Sequence, residues 1–157
     1  MTDTNYKLLD SQVHALLGDE QDPLAATSNF VGLLYNALDD VNWLGVYVLR
    51  KDELVLGPFQ GKPACVRIAL DEGVCGAAAS SLQTQRVADV HSFTGHVVCD
   101  PDSRSELVVP LVTHDQLIGV LDIDSPLPGR FDEADQVGVE KLCASFCALQ
   151  EKRKYFI

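Results

Sequence analysis

The sequence predicts an α+β fold in one domain: an antiparallel sheet of about six strands, N- and C-terminal helices on one face, and pocket-forming loops and short helices on the other. Three observations predict it. The 157 residues are 46 % apolar and 22 % charged, ordinary for a globular domain long enough to bury a core. Apolar residues at helical spacing are confined to the two ends, while β-forming runs fill the middle. No internal repeat, low-complexity tract or linker divides the chain.

The elements follow in order. Tyr6, Leu9, Val13, Leu16 and Leu17 recur at helical spacing and give a short first helix. Asp22 offers an N-cap and Pro23 suits the first helical position of a second helix, which ends near Asp39. Trp43 to Arg50 and Leu54 to Gln60 flank a turn at Lys51-Asp52-Glu53 and read as a hairpin. Cys65 to Leu70 is a further short strand. Gly73-Val74-Cys75-Gly76 is a turn leading into a short alanine-rich helix, and Arg86 to Val90 a brief strand. His91 to Ser105 is a long polar stretch, and loops of that length in small domains commonly carry function. Glu106 to Thr113 and Gln116 to Ser125 form a second hairpin around His114-Asp115. Asp132 caps a last helix with Val137, Val139, Leu142, Cys143, Phe146 and Leu149 along it.

Charge narrows the function classes. Twelve basic and 23 acidic residues give a formal net charge of -11. Such a surface repels phosphate backbones and anionic lipid, so neither nucleic acid nor a membrane is an expected partner. No apolar run reaches the ~20 residues of a membrane helix. Met1-Thr2-Asp3-Thr4-Asn5 carries no signal-peptide pattern, which points to the cytoplasm. The odd cysteine count, five, argues against a secreted disulfide framework.

Three groups of residues invite chemistry. In the strand Gln116 to Ser125, Ile118, Val120, Asp122 and Asp124 share one face by alternation. Aspartate is depleted in strands, and these two carboxylates stand about 7 Å apart at the i,i+2 spacing. They form either a solvated strand end or a carboxylate-lined cation site. Glu106 opens the partner strand, and counting outward from the turn places it near Asp124. Trp43, Gly45 and Tyr47 share a face of the first strand, leaving a gap between two aromatics whose polar tips are available to a ligand. They are an aromatic core pair or the walls of a pocket.

The cysteines divide. Cys143 and Cys147, at i and i+4 on the last helix, read as small core residues. Cys65, Cys75 and Cys99 lie near loops. Cys75 sits at a helix start, where thiolate is favoured; Cys99 lies in the long loop, with His91 and His96 upstream. Their spacings fit no common zinc pattern, so thiol redox chemistry outweighs a metal site. Either thiol can be the nucleophile on these grounds.

Those residues carry a family resemblance. Asn42-Trp43-Leu44-Gly45-Val46-Tyr47, Leu56 to Lys62, Ala64-Cys65-Val66-Arg67-Ile68, Gly73-Val74-Cys75-Gly76, Asp89-Val90-His91, Gly95-His96, Cys99-Asp100, Ser105-Glu106 and Gly119 to Ser125 resemble the free methionine-(R)-sulfoxide reductases, which are single GAF domains. Pro63 stands where the family usually has an aliphatic residue. The resemblance implies a GAF-like fold over 1–157 and thioredoxin-dependent reduction of free L-methionine (R)-S-oxide, with no metal or bound cofactor. It implies Cys99 as nucleophile passing through a sulfenic acid, Cys65 as resolving thiol in a Cys65–Cys99 disulfide, and Cys75 as auxiliary. It places Trp43, Tyr47, Glu106, Asp122 and Asp124 around the substrate and suggests a homodimer. The rivals are a non-enzymatic GAF-type ligand-binding or redox-sensing module, and a metalloprotein using the Cys/His/Asp set.

Overall fold

A computed structural model describes residues 3–157; Met1 and Thr2, which open the stretch read for a leader, lie outside the described residues. Helices α1 (Tyr6–Leu17) and α2 (Pro23–Ala37) come first, and the Asp22 carboxylate accepts the Ala25 N–H at 3.0 Å, as a capping residue should. Strands β1 (Trp43–Arg50), β2 (Glu53–Gln60) and β3 (Arg67–Ala69) precede α3 (Gly73–Ser81) and β4 (Gln85–Val87). A 3₁₀ turn at Val90–Ser92 leads through the long loop to β5 (Ser105–Thr113), β6 (Gln116–Ser125) and α4 (Glu133–Gln150). Asp132 and Asp135 close a reciprocal capping box at the start of α4.

The six strands form one antiparallel sheet in the order β3-β2-β1-β6-β5-β4. The helices α1, α2 and α4 cover one face. Their core is Leu9, Val13, Phe30, Leu34, Leu142 and Phe146 against Leu44, Leu107, Leu121 and Ile123, with Phe30 and Phe146 stacked 4.5 Å apart. The short α3 lies on the other face, where Val74, Cys75, Ala78 and Ala79 meet Trp43, Tyr47, Ile68, Val108 and Val120. No helix among the described residues is long and apolar enough to cross a membrane.

Four local expectations change. The strand expected from Cys65 is shorter and begins at Arg67, so Cys65 sits in the approach loop. The strand expected over Arg86 to Val90 is displaced to Gln85–Val87, and Val90 turns into the 3₁₀ segment. The turn expected at Gly73 is already helix. A bulge on β6, where Leu111 pairs with Gly119 but Val112 with Leu117, adds Ile118 as an extra residue. Ile118 therefore packs on the helix side and Leu117 on the pocket side, the reverse of strict alternation.

Candidate active site

The hairpin β5–β6 builds the floor. Glu106 pairs with Asp124, and Val108 with Asp122, in uninterrupted register from Gly119 outward. All three carboxylates therefore share the face opposite the helices. Strand β1 runs along the other side of β6, placing Trp43 beside Asp124 and Gly45 beside Asp122. Helix α3 closes over them and brings the Cys75 sulfur 3.9 Å from Glu106 Oε1.

The aromatic pair is present, but no gap separates its members. A Cβ on Gly45 would lie 2.5 Å from the tip of the Trp43 ring and 2.6 Å from Phe59 Cβ. Gly45 thus gives Trp43 room to lie between Tyr47 and Phe59, with ring centroids 5.8 and 5.4 Å away. The polar tips are also engaged. Trp43 Nε1 donates to the Lys62 carbonyl at 3.0 Å and the Tyr47 hydroxyl to the Cys65 carbonyl at 2.8 Å. Both bonds hold the segment carrying Cys65 against the sheet.

Cys65 and Cys99 are joined by a disulfide, with Cα atoms 5.4 Å apart. It links two loops beside a cleft with about 540 Å³ of empty space, its open mouth included. Trp43, Tyr47, Ala64, Ile68, Cys75, His96, Cys99, Glu106, Asp122 and Asp124 line that cleft. The long loop is pinned at several points. Asn42 Nδ2 donates to Asp100 Oδ2 and Ser103 Oγ, both at 3.3 Å, and Lys62 Nζ donates to Asp102 Oδ2 at 2.6 Å. The Gly73 N–H donates to the Gly95 carbonyl at 3.2 Å. Cys143 and Cys147 are buried on α4, on the far side of the sheet.

Burial governs the electrostatics. Glu106 and Asp122 are each 6 % exposed. Burial, then the neighbouring Asp122 and Asp124, hold the Glu106 carboxyl well above its usual range. Burial, then Asp122 and Asp100, do the same for Asp124. Asp122 is pushed up to about 6 by burial, partly offset by hydrogen bonds from Glu106 and Cys75. Burial and the same carboxylates push the Cys75 thiol well up and raise the Tyr47 phenol. The thiolate-favouring helix start at Cys75 is therefore outweighed, and Cys75 is a neutral thiol at ordinary pH. Among the described residues none hydrogen-bonds the buried Asp122 Oδ1, and such an atom is costly unless a donor or cation meets it.

Sequence reasoning gives no role to His96, whose Nε2 lies 4.0 Å from Glu106 Oε2. Its sequence signals are its place upstream of Cys99 in the long loop and the Gly95-His96 pair of the family resemblance. The contacts of Asn42 with Asp100 and Ser103 are not legible in the sequence for a different reason: they join residues about 60 positions apart.

Comparison with known proteins places this geometry. The GAF domain family matches residues 11–150. The free methionine-R-sulfoxide reductase of Escherichia coli (strain K12) is 49 % identical over 154 residues, 96 % of this chain and 93 % of that one. The reduced form of the fRMsr of Staphylococcus aureus superposes with a TM-score of 0.91 at 49 % identity, covering 94 % of this chain and 96 % of that one. Its complex with substrate gives 0.88 at 48 % identity, with 97 % of each chain covered.

Proposed function

The chain belongs to the GAF-domain family and, within it, to the free methionine-R-sulfoxide reductases, and on that premise we propose that it reduces free L-methionine (R)-S-oxide to L-methionine with electrons from thioredoxin. The observation that carries this reading is a Cys65–Cys99 disulfide beside a cleft floored by Glu106, Asp122 and Asp124. In this reading the enzyme is one GAF domain over 1–157, a cytoplasmic homodimer that uses neither a metal nor a bound cofactor.

The chemistry follows from the groups present. Sulfoxide oxygen accepts attack at sulfur only when it is protonated or strongly hydrogen-bonded. A carboxyl kept neutral by burial and like-charge neighbours supplies that proton at neutral pH. Cys99 attacks the sulfur, the S–O oxygen passes to Cys99 as a sulfenic acid, and methionine leaves. The Cys65 thiol then attacks Cys99, forming the disulfide and releasing water. Thioredoxin's dithiol reduces that disulfide and is itself oxidised. Cys75, neutral and buried beneath the cleft, is the auxiliary thiol.

Recognition follows from the same cluster. A free amino acid brings an ammonium, which compensates the buried carboxylates and can donate to the orphaned Asp122 Oδ1. Peptide-bound methionine sulfoxide has no such charge and leaves them uncompensated. The Cys75 sulfur and one oxygen each of Glu106 and Asp122 lie within 4.8 Å of one another, a spacing that suits a small cation. Trp43 and Tyr47 wall the apolar part of the substrate.

The test supplies purified protein with thioredoxin, thioredoxin reductase and NADPH. NADPH oxidation is expected with free methionine-(R)-sulfoxide, and neither with the (S) epimer nor with a peptidyl sulfoxide. Oxidation with the peptidyl substrate at a similar rate would overturn the recognition argument. Cys99→Ser should be inactive, while Cys65→Ser should release about one methionine per enzyme and then stall. Stoichiometric zinc or iron in the active protein would sink the metal-free chemistry.

A further inference from the structure

Glu106 and Asp122 are buried at the floor of the cleft, so a substrate bound above them covers the direct route by which bulk water would replace a proton given from this cluster. The ionisable groups facing Glu106 are Asp122 and Asp124 from β6, Cys75 from α3 and Tyr47 from β1. Asp122, Cys75 and Tyr47 are buried with it, and Asp124, half-buried, lines the cleft. From the loop side the facing group is His96, whose Nε2 lies 4.0 Å from Glu106 Oε2. Its side chain is 14 % exposed, so one imidazole edge meets the cluster while the ring keeps contact with solvent.

That placement is built by its neighbours. The Gly95 carbonyl accepts the N–H of Gly73, the first residue of α3. Gly73 has φ +64°, and a Cβ there would come within 3.2 Å of the Val97 side chain. The residues on both sides of His96 are therefore seated on the start of α3, and the His96 N–H donates to the Phe93 carbonyl at 3.2 Å. At 4.0 Å the imidazole and carboxyl are not hydrogen-bonded, but a side-chain shift of about 1 Å brings them into range.

We propose that His96 is the proton-relay residue of this site, returning to the carboxyl cluster, through Glu106, the proton that the cluster gives to the sulfoxide oxygen. The inference rests on the sulfoxide-reductase reading of the site. The balance is simple. The cluster loses one proton to the oxygen, the Cys99 thiol releases one at the open side of the cleft, and His96 accepts a proton there and donates one to Glu106. Burial and His91 lower the basicity of His96, so it is neutral near pH 7 and offers both a lone pair and an N–H.

The experiment compares wild type with His96→Ala and His96→Gln, using dithiothreitol at a concentration where the rate no longer depends on it. Both variants should show kcat lowered by about tenfold or more, the scale of a lost proton-transfer partner, with KM within about twofold. Their rates should fall as pH rises and climb with added imidazole, while wild type ignores imidazole. Thiol counts should show that both variants still form the Cys65–Cys99 disulfide, as a properly seated loop requires. An unchanged kcat, or a lowered kcat deaf to imidazole and buffer in correctly oxidising protein, would overturn the relay. Wild type inactive on free methionine-(R)-sulfoxide would overturn the underlying reading instead.

Discussion

Asp122→Asn should make the protein more stable, and only above the ordinary carboxylate range. Asp122 is pushed from the usual 3.8 up to about 6 by burial. In the unfolded chain it ionises near pH 4; in the folded protein it keeps its proton until about pH 6. Across that window the folded state binds the extra proton, so stability falls as pH rises and then levels off. A shift of roughly 2 units, at 1.36 kcal/mol each, is about 3 kcal/mol lost by neutral pH. Asparagine has the same shape and no such loss. Because Asp122 also helps raise Glu106 and Asp124, its removal relieves them as well. Urea denaturation of the two oxidised proteins at pH 4.0 and 7.5 checks this. The variant should gain about 3 kcal/mol on wild type between the two pH values, with m unchanged. It should lose at least tenfold in kcat/KM, the scale of a charge-assisted hydrogen bond. A stability difference independent of pH, or a variant less stable at pH 7.5, would refute the claim that ionising this carboxylate opposes folding.

Two further substitutions probe the frame around the site. Arg130→Met removes the Nη1 contact to Asp135 Oδ2 at 2.9 Å and leaves a buried carboxylate without its cation; it should cost about 3–5 kcal/mol in urea unfolding. A loss under 1 kcal/mol would show that the Tyr6 hydroxyl, 2.6 Å from Asp135 Oδ1, and the backbone satisfy that carboxylate on their own. Gly45→Ala drives a methyl into the Trp43 ring and Phe59, which should cost about 1–3 kcal/mol, raise KM and alter the near-ultraviolet circular dichroism. An alanine variant with unchanged KM and spectrum would mean that the aromatic stack does not shape the pocket.

Local signals in the sequence were strong enough for the scaffold. The Asp22-Pro23 start, the Asp132 cap and the strand limits at Trp43, Arg50, Gln116 and Ser125 all depend on residues close in sequence. Counting residues from the His114-Asp115 turn sufficed to bring Glu106 near Asp124, but a strict count pairs it with Ile123, and it is the extra residue Ile118 that sets it opposite Asp124. What escaped depends on distant partners. The Trp43 ring fills the space over Gly45 because Phe59, on the neighbouring strand, stacks on it. Cys75 looks like a thiolate at a helix start until burial, and then Asp122 and Glu106 arriving from another hairpin, keep it neutral. The role of His96 depends on where Gly73 and Val97 seat its loop.

The bulge at Ile118 shows why Asp122 and Asp124 keep the face that alternation assigns them although alternation fails nearer the turn. An extra residue inverts the facing of everything on one side of it. Here it lies toward the turn, between the Gly119–Leu111 and Leu117–Val112 pairs, so the inversion falls on Leu117 and Ile118. Those two are both aliphatic and exchange faces at little cost, since each finds a hydrophobic core. From Gly119 the ladder is unbroken to Asp124 on the β1 flank and to Ser125 on the β5 flank. The same one-residue slip placed beyond Val120 would turn Asp122 and Asp124 into the core of α1, α2 and α4 and put Leu121 and Ile123 into the cleft. Two carboxylates in that core would have no partner and would cost far more than a misplaced aliphatic. The irregularity is thus tolerated where side chains are interchangeable and absent where the chemistry depends on which face they occupy.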